Sequence, residues 1–268
     1  MAFAALALPA WAEHIGLPDG GKATSVSGDI AEAWYTAPTR RYGHGVLGDA
    51  IEAGALAVRL RDGTVMEMEL DARHVFEDLT PRIADLDGDG RNEVITIRSS
   101  LSGGAAVAVY GLRGETFRQV AASDDIGLRN RWLNIAAIHD FDGDGQLEIA
   151  AVRTPHIGGA LQVWELGEEG LRKQGELGGF SNHVIGSRAL ALSAMIDVTG
   201  DGKAELVIPD QSRENLMAVT VSADSVTVVA HAELADRAVG DFSVSGARLT
   251  VPLASGEVAS LSAADFRQ

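Results

Sequence analysis

The 268-residue sequence contains no cysteine, which excludes a disulfide framework and a thiolate zinc site and leaves the redox compartment open. Basic residues are scarce: 22 Lys plus Arg face 38 Asp plus Glu, for a net charge of −16. Nucleic acid and anionic membranes, both polyanions, would be repelled, whereas a cationic partner is electrostatically allowed. No stretch reaches the roughly 18 apolar residues of a membrane span, so no transmembrane segment is expected. Helical periodicity is missing as well. Apolar residues alternate with polar ones between Gly-rich turns, which excludes a helical solenoid.

What is present begins with an apolar N-terminus. MAFAALALPAWAEH ends its apolar run in Ala10-Trp11-Ala12, a small-x-small pattern before polar Glu13. This predicts a signal peptide over residues 1–12, cleaved after Ala12, although the usual basic leader residues are missing. The expected location is periplasmic or secreted. With 46% hydrophobic residues, the remainder has ample material for a buried core.

One motif recurs three times: IADLDGDGRNEVITI, IHDFDGDGQLEIAAV and MIDVTGDGKAELVIP. The first acidic residues, Asp85, Asp140 and Asp197, stand 55 and then 57 residues apart. After each copy the pattern predicts a strand (94–98, 149–153, 206–209), a second (105–110, 160–166, 216–221) and a third (116–121, 171–177, 226–232). With the short apolar run before each acidic loop, this makes four strands per unit. Four-stranded units repeating about every 52 residues predict an all-β fold, a single β-propeller over residues 13–268.

The expected units are a degenerate blade at 41–80, three acidic-loop blades at 81–131, 132–189 and 190–237, and a closing blade at 238–268. The last offers only about three strands, so the segment at 31–38 is expected to complete it and close a five-bladed ring by its two ends. In the degenerate unit, matching Asp49 to Asp89 puts Gly45, Leu47 and Ala53 at the other acidic positions, so that turn should bind no metal.

The acidic loops carry the chemistry. Asp85, Asp87, Asp89 and Glu93 occupy positions 1, 3, 5 and 9, and the position 7 carbonyl of Arg91 offers a further oxygen. Alternate spacing turns the Asp oxygens toward one centre, and the glycines permit the tight curl. A set of hard oxygens of this number suits Ca²⁺ better than Mg²⁺ or Zn²⁺. The second loop repeats it with Asp140, Asp142, Asp144, the Gln146 carbonyl and Glu148. The third has Asp197, Thr199, Asp201, the Lys203 carbonyl and Glu205, so a hydroxyl replaces one carboxylate and this site should bind calcium most weakly. An EF-hand would need flanking helices and its bidentate Glu at position 12, whereas here a strand follows an acid at position 9. Acidic turns without a cation would place four carboxylates in mutual repulsion in each of the first two loops and three in the third.

DLDGDGRNEVITI, DFDGDGQLEIAAV and DVTGDGKAELVIP resemble FG-GAP or VCBS-type repeats, the calcium-loop blades of integrin α-subunit heads and of many secreted bacterial proteins. The resemblance implies a propeller, calcium between the first two strands of a blade, and an extracytoplasmic location. It does not specify the ligand, because the family ranges over adhesion modules, lectins and non-catalytic domains attached to enzymes.

Ligand-binding candidates lie in the segments entering each innermost strand, which in a propeller gather around the axis: Arg41, Tyr42 and His44; Asp78 after Phe76-Glu77; Asn130, Arg131 and Trp132; Asn182 and His183. Aromatic and Arg side chains on one rim suit a protein or glycan ligand. The competing expectation is that they pack between blades, with Trp132 as a core plug. No nucleophile elbow, zinc spacing or phosphate loop is present. The expectation is therefore a monomeric binding module, the alternative being a glycan-active hydrolase or lyase with its site on the axis.

Overall fold

The computed structural model describes residues 16–222 and 225–268, so the expected leader at 1–12 lies outside the described residues. No helix among them is long and apolar enough to cross a membrane. The chain is all-β, in several antiparallel sheets.

Its strands run β1 (Lys22–Thr24), β2 (Ile30–Thr39), β3 (Glu52–Leu60), β4 (Val65–Glu69), β5 (His74–Phe76), β6 (Arg82–Ala84), β7 (Glu93–Ser100), β8 (Gly104–Arg113), β9 (Thr116–Ala122), β10 (Leu133–His139), β11 (Glu148–Arg153), β12 (Ala160–Gly167), β13 (Gly170–Gly178), β14 (Ala194–Ile196), β15 (Glu205–Pro209), β16 (Asn215–Ser222), β17 (Ser225–Glu233), β18 (Ser243–Ser245), β19 (Arg248–Pro252) and β20 (Val258–Leu261). All nine strands expected after the three acidic loops are present. The sheet orders β10-β11-β12-β13 and β14-β15-β16-β17 are the four-stranded meanders that the repeat predicts.

The same irregularity recurs between the third and fourth strands of each repeat unit, with register shifts at Val109/Tyr110, Val163/Trp164 and Ala218/Val219. A bulge at one fixed place per unit increases strand twist there. Inner strands alternate or run continuously apolar and bury both faces: Ile95, Ile97, Val107, Val109, Ile149 and Ala151 belong to one core cluster with Trp132 and Leu133.

Two expectations are corrected. Residues 31–38 do not complete the last sheet: β2 pairs with β3 from Ile30↔Leu60 to Thr39↔Glu52 and carries β1 on its other edge. Pairing across one short connection closes a far smaller loop than pairing with the chain's far end. It also puts Ala33 and Tyr35 against Leu56, Val58 and Phe76 in one core. The last sheet, β18-β19-β20, has three strands among the described residues.

The first unit accordingly begins near Lys22 rather than at residue 41, and the stretch matched to an acidic loop is the connection between β2 and β3. Val46 and Leu47 of that connection are buried in the central core with Leu86 and Trp132. Its Asp49 carboxylate accepts from Ile51 N (2.7 Å) and Arg188 Nη2 (2.9 Å).

In the second unit the inner strand is split into β5 and β6, both paired to β7. Pro81 has no amide hydrogen to offer a ladder, and the Asp78 carboxylate accepts from Leu79 N at 2.9 Å. Glu77 and Asp78 lie in this break.

Candidate functional site

The acidic loops join β6 to β7, β10 to β11 and β14 to β15 and fold alike. The position 1 carboxylate accepts from the second glycine amide in each: Gly90 N to Asp85 (2.9 Å), Gly145 N to Asp140 (3.1 Å) and Gly202 N to Asp197 (3.0 Å). The position 5 carboxylate accepts from the position 7 amide, that of Arg91, Gln146 or Lys203, at 2.8 Å each time. Gly88, Gly143 and Gly200 have φ of 71°, 82° and 78°, which a side chain would disfavour.

The position 9 acid begins the following strand and reaches back into the loop. Glu93 accepts from Leu86 N (3.2 Å), Glu148 from Phe141 N (2.7 Å) and Glu205 from Val198 N (2.7 Å). Burial pushes the Glu93 and Glu148 carboxyls up to about 7, and the loop aspartates add to the effect.

Carboxylate oxygens of Asp85, Asp87 and Glu93 lie within 4.8 Å of one another, as do those of Asp140, Asp142 and Glu148, so both clusters can hold a metal ion. Asp85 Oδ1 and Glu148 Oε1 are buried with no hydrogen-bond partner among the described residues. A buried anionic oxygen without a donor is costly, and a cation at each cluster's centre would relieve the cost. Asp89 and Asp144 fall outside these triads. The third loop differs: the Thr199 hydroxyl donates to Glu205 Oε1 at 3.0 Å.

Some of the candidate rim residues are neighbours. His44 Nδ1 lies 2.6 Å from Glu77 Oε1, whose other oxygen accepts from Ser99 at 2.5 Å. Trp132 Nε1 donates to the Glu77 carbonyl at 2.9 Å. Tyr42 Oη accepts from Asn130 N at 3.1 Å, and His183 sits edge-on to Trp132 with ring centroids 4.7 Å apart.

Several of these groups are engaged in holding segments together. Trp132 is 2% exposed and stacks on His156, as a core plug would. Asn182 and Asn134 exchange side-chain to main-chain bonds, Arg41 Nε donates to the His74 carbonyl (2.8 Å), and Asp78 takes Tyr35 Oη (2.8 Å) and pairs with Arg82. Arg131 Nη1 donates to the neighbouring Asn130 carbonyl at 3.0 Å.

His156 and Glu52 join this region without having been singled out. Glu52 is buried, and loss of water together with the nearby Glu77, Asp49 and Asp78 carboxylates raises it to about 9. Its signal in the sequence is a lone acid in the otherwise small and apolar run AIEAGALAV. His156, in the turn after β11, has no such mark.

Residues 85–151 match the family model of the FG-GAP-like repeat. This segment is an FG-GAP-like repeat. It contains the first two acidic loops whole, with the six carboxylates of the two clusters. The third copy of the motif, from Asp197, lies beyond the matched FG-GAP-like segment.

No curated protein matches the sequence. Three solved structures share the fold: the exotype rhamnogalacturonan lyase YesX (13% identity, TM-score 0.50, covering 92% of this chain and 50% of that one), the rhamnogalacturonan lyase YesW (14%, 0.50, 94% and 53%), and Bacillus licheniformis rhamnogalacturonan lyase PL11 (14%, 0.52, 93% and 52%). The fold in common is β-propeller-like. The chain spans about half the length of these lyases.

Proposed function

We propose that this FG-GAP-like chain is a secreted or periplasmic, calcium-stabilised five-bladed β-propeller that serves as a binding module for a protein or an envelope glycan. The five blades of this reading would begin at β1, β5, β10, β14 and β18. The connection between the third and fourth units reaches the first: Gly186 N donates to Val46 O at 2.9 Å, and Arg188 pairs with Asp19 and Asp49.

The observation that carries the calcium assignment is the pair of buried, donorless oxygens, Asp85 Oδ1 and Glu148 Oε1, in two carboxylate clusters of the same composition. Oxygen-only donor sets of this kind favour a hard divalent ion. Asp85, Asp87, Asp89 and Glu93 would hold one ion, and Asp140, Asp142, Asp144 and Glu148 the second. Asp197, Asp201 and Glu205 would hold a weaker third, with main-chain carbonyls of Arg91, Gln146 and Lys203 contributing. Each ion would fix a turn and complete its charge balance, which is a structural role. The test is thermal unfolding in calcium, in magnesium and in chelator. A calcium-selective rise in Tm supports the reading, and identical curves in all three refute it.

The binding role draws on the convergence of His44, Asn130, Arg131 and Trp132 at one small cavity. A second reading is favoured by one observation, the His44–Glu77 pair outside the acidic loops. An imidazole oriented by a buried carboxylate is a competent general base. With fold-mates that are rhamnogalacturonan lyases, this suggests a polysaccharide lyase or hydrolase. Incubation with rhamnogalacturonan separates the two readings: release of unsaturated sugar by a lyase, or of new reducing ends without unsaturation by a hydrolase, that His44→Ala abolishes supports the enzyme, and binding without cleavage supports the module.

A further inference from the structure

The first two acidic loops are joined through their main chains. Leu147 N donates to Leu86 O at 2.9 Å. Leu86 lies between Asp85 and Asp87 of the first loop, and Leu147 stands directly before Glu148 of the second. The loops approach at their glycines as well, since a Cβ placed on Gly88 would stand 3.9 Å from Gly145 O.

Each end of that bond is tied to a ligand of its own ion. Leu86 N donates to Glu93 Oε2 at 3.2 Å, so one residue holds the position 9 acid of the first loop by its N–H and the second loop by its C=O. Leu147 N belongs to the same peptide group as the Gln146 carbonyl, the main-chain oxygen assigned to the second ion. A peptide group is planar, so fixing its N–H also fixes the direction of its C=O. Leu86 is anchored in turn: its side chain is buried in the central core with Ile95 and Trp132. The second and third loops lack this link. Ala204 N, the counterpart of Leu147 N, makes no bond to the Phe141 carbonyl among the described residues. What the third loop brings to the second is the flexible Lys203 side chain, whose Nζ stands 3.7 Å from a Cβ placed on Gly143.

We propose that the first two calcium sites are cooperative, each ion tightening the other through the Leu147–Leu86 bond, while the third site binds independently. An ion that draws Asp85, Asp87 and Glu93 together fixes the Leu86 peptide between them. The Leu86 carbonyl then holds the Gln146–Leu147 peptide in place for the second ion, which has less ordering left to do. Linkage makes the effect equal in the other direction. Repulsion between the ions does not reverse its sign, because the two loops carry eight acidic side chains, Asp85, Asp87, Asp89, Glu93, Asp140, Asp142, Asp144 and Glu148, against four positive charges. The proposal rests on the calcium reading and adds how its sites regulate one another.

The test follows the amides of Gly90, Gly145 and Gly202, one in each loop and each bonded to its position 1 carboxylate, by NMR of the full ¹⁵N-labelled chain during calcium titration. In the wild type Gly90 and Gly145 are expected to respond together and more steeply than a single site, with Gly202 following separately. Asp142→Ala, which disables the second site, should raise the calcium midpoint at Gly90 at least about fivefold, and Asp87→Ala should raise that at Gly145 by the same factor. Asp201→Ala, in the unlinked loop, should move neither. Separate titration of Gly90 and Gly145 in the wild type, a Gly90 midpoint unmoved or lowered by Asp142→Ala, or an equal rise caused by Asp201→Ala would each overturn the coupling while leaving calcium binding intact. The absence of a calcium response at all three glycines would overturn the calcium reading itself, and the coupling with it.

Discussion

The Thr199 hydroxyl donates to Glu205 Oε1 at 3.0 Å, at the loop position that Asp87 and Asp142 occupy opposite Glu93 and Glu148. The third loop thus satisfies internally the acid oxygen that has no donor in Glu148 and faces the Arg113 guanidinium at 3.8 Å in Glu93. Replacing Thr199 by Asp removes that donor and restores the third carboxylate. Calorimetric titration should then find the third calcium site tightened by about tenfold, since ligand charge tunes affinity at such sites. An unchanged third affinity would show that the hydroxyl is not what separates the loops.

The double variant Asp87→Ala, Asp142→Ala removes one carboxylate from each cluster. Calcium at ten times the dissociation constant stabilises by about 1.4 kcal/mol per site. Two sites therefore correspond to roughly 5–10 °C in Tm for a domain of this size. Differential scanning calorimetry should find that shift in the wild type and its loss in the variant.

The His156–His183 pair makes the fold sensitive to acid. Both imidazoles are held neutral by burial, at about 3 and about 4 in the folded chain against 6.5 when unfolded. Below 6.5 the unfolded chain takes up protons that the folded chain refuses, so stability falls as pH drops towards 4. The slope is at most about 1.4 kcal/mol per pH unit for each group. Urea denaturation from pH 7 to pH 4 should give this loss, and His156→Asn should flatten it.

Glu52 has the opposite sign. Raised to about 9 by burial and by Glu77, Asp49 and Asp78, it keeps a proton in the folded chain that the unfolded chain releases above 4.5. Its contribution is therefore lost as pH rises from 4.5 towards 9. Glu52→Gln should raise Tm most at pH 8 and least at pH 5. Equal effects at both would mean that the carboxyl stays ionised in the fold.

The repeat, its strands and its two carboxylate clusters were legible in the amino-acid order because they are local. Acidic spacing within nine residues, the glycines of one tight turn and the two-residue alternation of the next strand involve no distant partner. The pairing of β2 with β3 and the burial of Val46 and Leu47 were decided by tertiary structure, because a strand's edge does not state its neighbour and loop closure favours the near one. The same holds for His44 against Glu77, 33 residues apart, and His156 against His183, 27 apart. Their sequence positions carry no periodic mark, and only the stacking of sheets brings their ring nitrogens within hydrogen-bonding distance of the groups that fix their protons.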